Sequence, residues 1–237
     1  MNKVYAFSDL HGQYHLWKQI SDYCDETDKI YFLGDAIDRG SDNVKIMQEL
    51  LSDPRVIYLK GNHEQLLINA ADYILGEDLD DYDFNLWISN GGIKTYEELF
   101  LDKPIEISKS YIHHLKRLPI IKIYINKNNQ KIILTHAGFN PDALIDILWN
   151  RQHLTTTIWH GLENEFIVHG HTPVQHLKIN NPGLIENYTR ERITNQTDAQ
   201  VAFYCERHKI NVDLGCFATN KIALLDLDTF KPIYFQG

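Results

Sequence analysis

A chain of 237 residues, 43% hydrophobic and 23% charged, has the balance of an ordinary globular protein and can bury one core without staples. Disordered and fibrous classes are set aside. The formal net charge of -9 and a pI near 5.7 argue against binding the phosphate backbone of DNA or RNA, so no nucleic-acid partner is expected, and a phosphorylated substrate would need local cations.

Short apolar, β-rich runs predict strands at Lys3 to Phe7, Lys29 to Leu33, Val56 to Leu59, Ile120 to Ile125, Lys131 to Leu134, Phe166 to Val168 and Ile222 to Leu227. Helical patterns fall between the early ones, at Tyr14 to Cys24, Asn43 to Leu51 (with Ser41 or Asp42 as N-cap) and Glu64 to Leu75. Strand alternating with helix implies an α/β layered core. Glu77 to Asp83 reads as a solvated acidic loop, and Asn90-Gly91-Gly92 as a turn before a helix at Ile93 to Phe100. A single domain over 1–237 is expected, with a polar excursion at about 180–204. Tyr234 to Gly237 reads either as a tag remnant or as the end of a closing strand.

No run approaches the roughly 18 apolar residues of a membrane span. Asp9 would interrupt the apolar core of a signal peptide, so a cytoplasmic location with no membrane partner is expected. Cys24, Cys205 and Cys216 are odd in number, with no CxxC pair. They predict buried thiols in a reducing compartment rather than a disulfide framework or thiolate zinc site.

Polar clusters follow the strands, where α/β sheets carry their ligand loops. They are Asp9-Leu10-His11-Gly12, Gly34 to Gly40, Gly61-Asn62-His63-Glu64, Thr135-His136-Ala137-Gly138 and His169-Gly170-His171-Thr172. Hard divalent cations take carboxylate and amide oxygens, and imidazole suits manganese, iron and zinc. Asp9, His11, Asp35, Asn62, His136 and His171 supply such a set, and a glycine beside a ligand lets backbone approach closely. His113 and His114, beside Lys116 and Arg117, read as a solvated helix face. His169 is expected to point away from His171 or pack behind it.

These motifs resemble the calcineurin-like metallophosphoesterases, and within them the serine/threonine protein phosphatases of the bacterial and bacteriophage lambda type. The narrower signature is Gly34-Asp-Ala-Ile-Asp-Arg-Gly40 with Gly61-Asn-His-Glu64. Trp87 with Asn90-Gly91-Gly92, Trp149-Asn150-Arg151 and Gly170-His-Thr-Pro173 add to it. The resemblance implies a layered fold, a central β-sandwich flanked by helices, with the active site on loops at strand C-terminal ends. It implies that Asp9, His11 and Asp35 hold one metal and that Asp35, Asn62, His136 and His171 hold a second, with Asp35 bridging. The ions would be manganese first, with iron or zinc as alternatives.

The resemblance further implies hydrolysis by direct attack of a metal-bridging hydroxide, without a phosphoenzyme. His63 would serve as general acid, oriented by Asp38, and Arg39 and Arg151 would bind phosphate. The expected substrate is a phosphoserine, phosphothreonine or phosphotyrosine protein. The rival reading is a symmetrical diadenosine tetraphosphate hydrolase or another small-molecule phosphoesterase. Relatives of that kind typically lack an acid at the position of Asp38, so Asp38-Arg39 favours the phosphatase.

The sequence departs from the pattern at Ser8, where glycine is usual and a small-for-small exchange is expected to cost little. It departs again at Asn211 to Cys216, so Asp213 is given no catalytic role. The longer segment between His171 and Asn211, with Tyr188, Arg190, Arg192 and Tyr204, reads either as a border of the substrate cleft or as surface decoration.

Overall fold

Alternation along the strands sends successive side chains to two different cores. In β1 (Val4–Phe7), Tyr5 and Phe7 face one apolar cluster and Ala6 another; in β2 (Lys29–Phe32), Ile30 and Phe32 face the first and Tyr31 the second. The computed structural model describes residues 2–139, 147–151, 161–176 and 199–237, and these strands sit in the first of its two five-stranded sheets. That sheet runs β10-β9-β1-β2-β3, with β3 at Val56–Tyr58, β9 at Lys221–Asp226 and β10 at Pro232–Gln236. β1, β2 and β3 are parallel, whereas β9 and β10 pair antiparallel.

The second sheet runs β4-β5-β6-β8-β7, from β4 (Ile121–Ile125), β5 (Lys131–Thr135), β6 (Glu165–His169), β7 (Ala202–Tyr204) and β8 (Lys209–Asn211). Its inner side chains Ile132, Leu134, Val168 and Ile210 meet Ala6, Leu33, Ala223 and Leu225 of the first sheet in one apolar cluster. The sheets therefore form a sandwich. The other face of the first sheet is covered by α1 (Tyr14–Tyr23), α2 (Asn43–Ser52) and α3 (Asn62–Ile74), through Leu16, Trp17, Ile46, Met47, Leu66 and Leu67. The expected architecture, a β-sandwich flanked by helices in an α/β layered fold, is the one observed.

Several local expectations are refined. Asp42 is the N-cap of α2 by position but makes no capping bond. Glu98 does that work, accepting the Val44 N–H at 3.0 Å and the Asn43 amide at 2.7 Å. The acidic loop ends in a short helix, α4 (Tyr82–Trp87), which runs through Ile88–Gly92 into α5 (Ile93–Tyr96). A further helix, α6, spans Ile105–Lys116 and exposes His113 and His114. Tyr234 to Gln236 pair with β9, so the closing-strand reading describes them. The three cysteines are free and buried, and among the described residues no helix is long and apolar enough to cross a membrane.

Of the polar excursion, residues 180–198 lie outside the described residues, and with them Tyr188, Arg190 and Arg192. Val201, Ala202 and Tyr204 are buried in the sandwich core. The Tyr204 hydroxyl bonds the buried His169 ring at 2.6 Å.

Candidate active site

The parallel strands β1, β2 and β3 of one sheet and β5 and β6 of the other end at the same place, and their C-terminal loops carry the site. The first two loops continue to pair beyond their strands, through Asp9 N–H to Gly34 O at 3.0 Å and His11 N–H to Asp35 O at 3.1 Å. Six side chains of the site stand on left-handed backbone: Asp9 (φ 57), His11 (φ 44), Asp35 (φ 62), Asp38 (φ 75), Arg39 (φ 69) and His171 (φ 69). Such conformations cost of order 1–3 kcal/mol each and persist where surrounding contacts over-determine them.

Glu64 supplies many of those contacts. It is fully buried at the third position of α3, and its carboxylate accepts the N–H groups of Asp35 (2.9 Å), Ala36 (2.8 Å) and Gly61 (2.7 Å) and the Tyr58 hydroxyl (2.7 Å). It thereby fastens the β2 loop to the β3 loop. Gly61 is required there, because a Cβ would meet the Asp35 backbone N at 2.5 Å. Ser8 is more than a small residue: its hydroxyl donates to Asp9 Oδ2.

Two groups of buried side chains converge on Asp35, His11–Asp35–His63 and Asp35–His136–His171. The donor atoms of each lie within 4.8 Å of one another, close enough to hold a metal ion. Asp35 serves both, with Oδ2 at 3.7 Å from His11 Nε2 and Oδ1 at 3.4 Å from His136 Nε2. Asn62 joins the second group, its Oδ1 accepting from His136 Nε2 and His171 Nδ1, both at 2.8 Å. Asp9 stands at the edge of the first, with Oδ1 4.0 Å from His11 Nε2 and Oδ2 accepting the His171 N–H at 3.1 Å. His63 thus occupies the place among the first three that the resemblance gives to Asp9.

The donor set fits divalent cations. His11 Nδ1 donates to Ile37 O at 3.0 Å and His136 Nδ1 to Leu33 O at 2.9 Å, which turns each Nε2 toward Asp35. A second-nitrogen bond to a carbonyl is the usual way a metal-binding imidazole is oriented. Two carboxylates, one amide and three imidazoles together are a mixed oxygen and nitrogen set of the kind manganese, iron and zinc accept.

The charges are strongly coupled. Burial opposes ionisation of Asp35, but His136, His63 and His11 outweigh it and hold the carboxyl well below its usual range. Burial likewise opposes charge on His136, yet Asp35 and Asp9 push it up to about 10. Burial raises Asp9 to about 6, with Asp35 adding and His136 opposing. Burial, then His136, lowers His171 to about 3, and burial, then His63 and Arg39, lowers His11 well below its ordinary value.

Beside these two groups His63 and Asp38 form a hydrogen-bonded pair. His63 Nδ1 bonds Asp38 Oδ2 at 2.7 Å, and although burial disfavours its charge, Asp35 and Asp38 raise its pKa. The Arg39 guanidinium donates to His11 Nε2 at 2.7 Å and to His63 Nε2 at 3.0 Å. The exposed Arg151 donates from Nε to His171 Nε2 at 3.4 Å. All ten residues singled out in the sequence are therefore brought together. Glu64 and Trp87 stand in motifs that the sequence marks without giving either a role, and Thr95 stands in none; Trp87 and Thr95 both bond Asp38. Asp213 is buried, and burial, then Asp9, raises its carboxyl well above the usual range.

Three relatives bear on this geometry. A serine/threonine-protein phosphatase 2 of Salmonella typhimurium is 26% identical over 163 residues, 64% of this chain and 69% of that protein. An asymmetrical Bis(5'-nucleosyl)-tetraphosphatase, PrpE, of Oceanobacillus iheyensis is 24% identical over 221 residues, 82% of this chain and 72% of its own length. A symmetrical Bis(5'-nucleosyl)-tetraphosphatase of Buchnera aphidicola is 29% identical over 153 residues, 61% of this chain, which spans only 47% of that relative. Residues 2–213 match the family described as calcineurin-like phosphoesterase, and the chain belongs to it.

Proposed function

We propose that this phosphoesterase acts on small nucleotide substrates, with dinucleoside polyphosphates as the leading class. The reach of similarity carries the choice: the alignment with the asymmetrical tetraphosphatase takes in 82% of the chain, that with the protein phosphatase 64%. In this reading Asp9, His11 and Asp35 hold one cation, and Asp35, Asn62, His136 and His171 hold the other. Bound cations of this kind supply a water that ionises near neutral pH and positive charge on the phosphate oxygens.

The remaining side chains bind and protonate. Arg39 and Arg151 face the ion sites from the open side and grip phosphate oxygens, replacing their present bonds to His11, His63 and His171. His63 Nε2 delivers a proton to the departing oxygen, while Asp38 holds the ring through Nδ1.

A second reading, a phosphoprotein phosphatase, is favoured by that His63–Asp38 pair. A serine alkoxide needs a proton to leave, whereas a nucleotide phosphate with a second pKa near 6 leaves without one. The manganese-loaded chain should be given diadenosine tetraphosphate, a phosphoserine peptide and p-nitrophenyl phosphate side by side, with nucleotide products separated. We expect the dinucleotide to turn over fastest. ATP with AMP would mark asymmetrical cleavage, and two ADP symmetrical. Faster release of phosphate from the peptide would reverse the order of the two readings.

A further inference from the structure

Asp38 and Arg39 are consecutive residues on left-handed backbone, and a segment about fifty residues further along grips both. Trp87 Nε1–H donates to Asp38 Oδ2 at 2.9 Å, and the Thr95 hydroxyl donates to Oδ1 at 2.6 Å. The same Thr95 oxygen accepts the Asp38 N–H at 3.1 Å, and Gly91 O accepts the Arg39 N–H at 2.9 Å. Asp38, Trp87 and Thr95 are each 0% exposed.

The helical run from α4 to α5 is shaped for these contacts. It breaks at Gly91, where φ is 106° and a Cβ would stand 2.9 Å from Arg39 Cγ. At Gly92 a Cβ would meet the Trp87 indole at 2.5 Å, so only glycine lets that ring lie against the break. Asn90 closes the preceding turn by donating to Leu86 O at 2.8 Å.

We infer that the Trp87–Thr95 segment is a clamp: through Asp38 it sets the orientation of the His63 imidazole, and through Gly91 it sets the backbone of Arg39. Its value to catalysis rests on the assignment of His63 as proton donor, but the clamp itself is a statement about where the ring is held. With His63 Nδ1 included, Asp38 has three side-chain donors on its two oxygens, which leaves the imidazole one orientation that keeps its bond. Trp87 and Thr95 act through Asp38 and are positioning residues.

The test uses the zinc-loaded full chain and imidazole NMR of the His63 Nδ1–H. Thr95→Val and Trp87→Phe should each shift that proton resonance, and Thr95→Ser should return it to the wild-type position, with two ions per chain retained in all three. Turnover of phenyl phosphate should fall on the order of tenfold in Thr95→Val and less for p-nitrophenyl phosphate, whose leaving group needs no proton. A resonance unmoved in both Thr95→Val and Trp87→Phe, or unrestored by serine, overturns the clamp. If His63→Asn slows both esters equally, the proton-donor assignment falls, and the resonance still decides the clamp.

Discussion

The two ion-binding groups share Asp35 and differ in what anchors them. His11 follows β1, and His63 lies in the first turn of α3 directly after β3; both strands neighbour β2 in the first sheet, so the first group is internal to one sheet. His136 and His171 come from the second sheet and meet Asp35 and Asn62 of the first. The second group therefore exists only when the sandwich is closed, while the first needs only the pairing of parallel strands that Glu64 fastens. Ion binding at the second group should accordingly be linked to the packing of the two sheets.

Asp35→Asn strikes both groups at once and should have the largest effect. Turnover should fall by about 10⁴-fold or more, exceeding the ~10²–10⁴ expected for loss of an acid alone. Elemental analysis should find fewer than two ions per chain. His63→Asn separates ion binding from proton delivery: two ions should remain while turnover of alkyl phosphates falls by roughly a hundredfold. Loss of an ion in that variant would make His63 a ligand of the first group rather than the proton donor.

The pH dependence sharpens the contrast. His136 bonds through both ring nitrogens and has a pKa raised to about 10, so a cation must displace its proton, whereas burial, then His63 and Arg39, holds His11 well below its ordinary value. Calorimetry in buffers of different ionisation enthalpy should find proton release for one ion, its affinity rising about tenfold per pH unit from 6 to 9. In the metal-free chain the sign reverses. A histidine pKa raised on folding contributes stability that is fully present below its unfolded value near 6.5 and is lost as pH rises through about 10. Metal-free stability should fall across that window, and a flat profile would remove the His136–Asp35 ion pair as its source.

Glu64→Gln is the mildest test and addresses the first group. The amide keeps one acceptor oxygen and places an NH₂ against N–H donors, leaving buried groups unsatisfied at about 1–3 kcal/mol each. A melting temperature lower by roughly 4–8 °C is expected.

The strands and their loops were legible because alternation and glycine-flanked ligands are local signals, and Asp9-Leu10-His11 or Gly61-Asn62-His63 carry them within a few residues. Glu64 stood inside a recognised motif, and its place three residues after Gly61 was the signal for its bond back to the Gly61 N–H. Its bonds to Asp35 and Ala36 span 29 and 28 residues, and no periodicity reports such contacts. Thr95 lies 57 residues from Asp38, and nothing around it distinguishes it from any other helical threonine. The strands β7 and β8 were missed because β7 (Ala202–Tyr204) falls where the surrounding polar residues predict an excursion, and β8 (Lys209–Asn211) offers a single apolar residue.

The left-handed backbone at Asp9, Asp35 and Asp38 bears on why each is aspartate and not glutamate. A longer acid would carry the same charge, and by that measure Asp35→Glu is a conservative exchange. Among residues with a side chain, however, aspartate and asparagine enter this region most readily. Asparagine at these positions would therefore keep the loop and lose the charge, and glutamate would keep the charge and strain the loop. Chain geometry and the need for a carboxylate, on an ion site at Asp9 and Asp35 and on the His63 ring at Asp38, thus restrict the same three positions to one amino acid, each for its own reason.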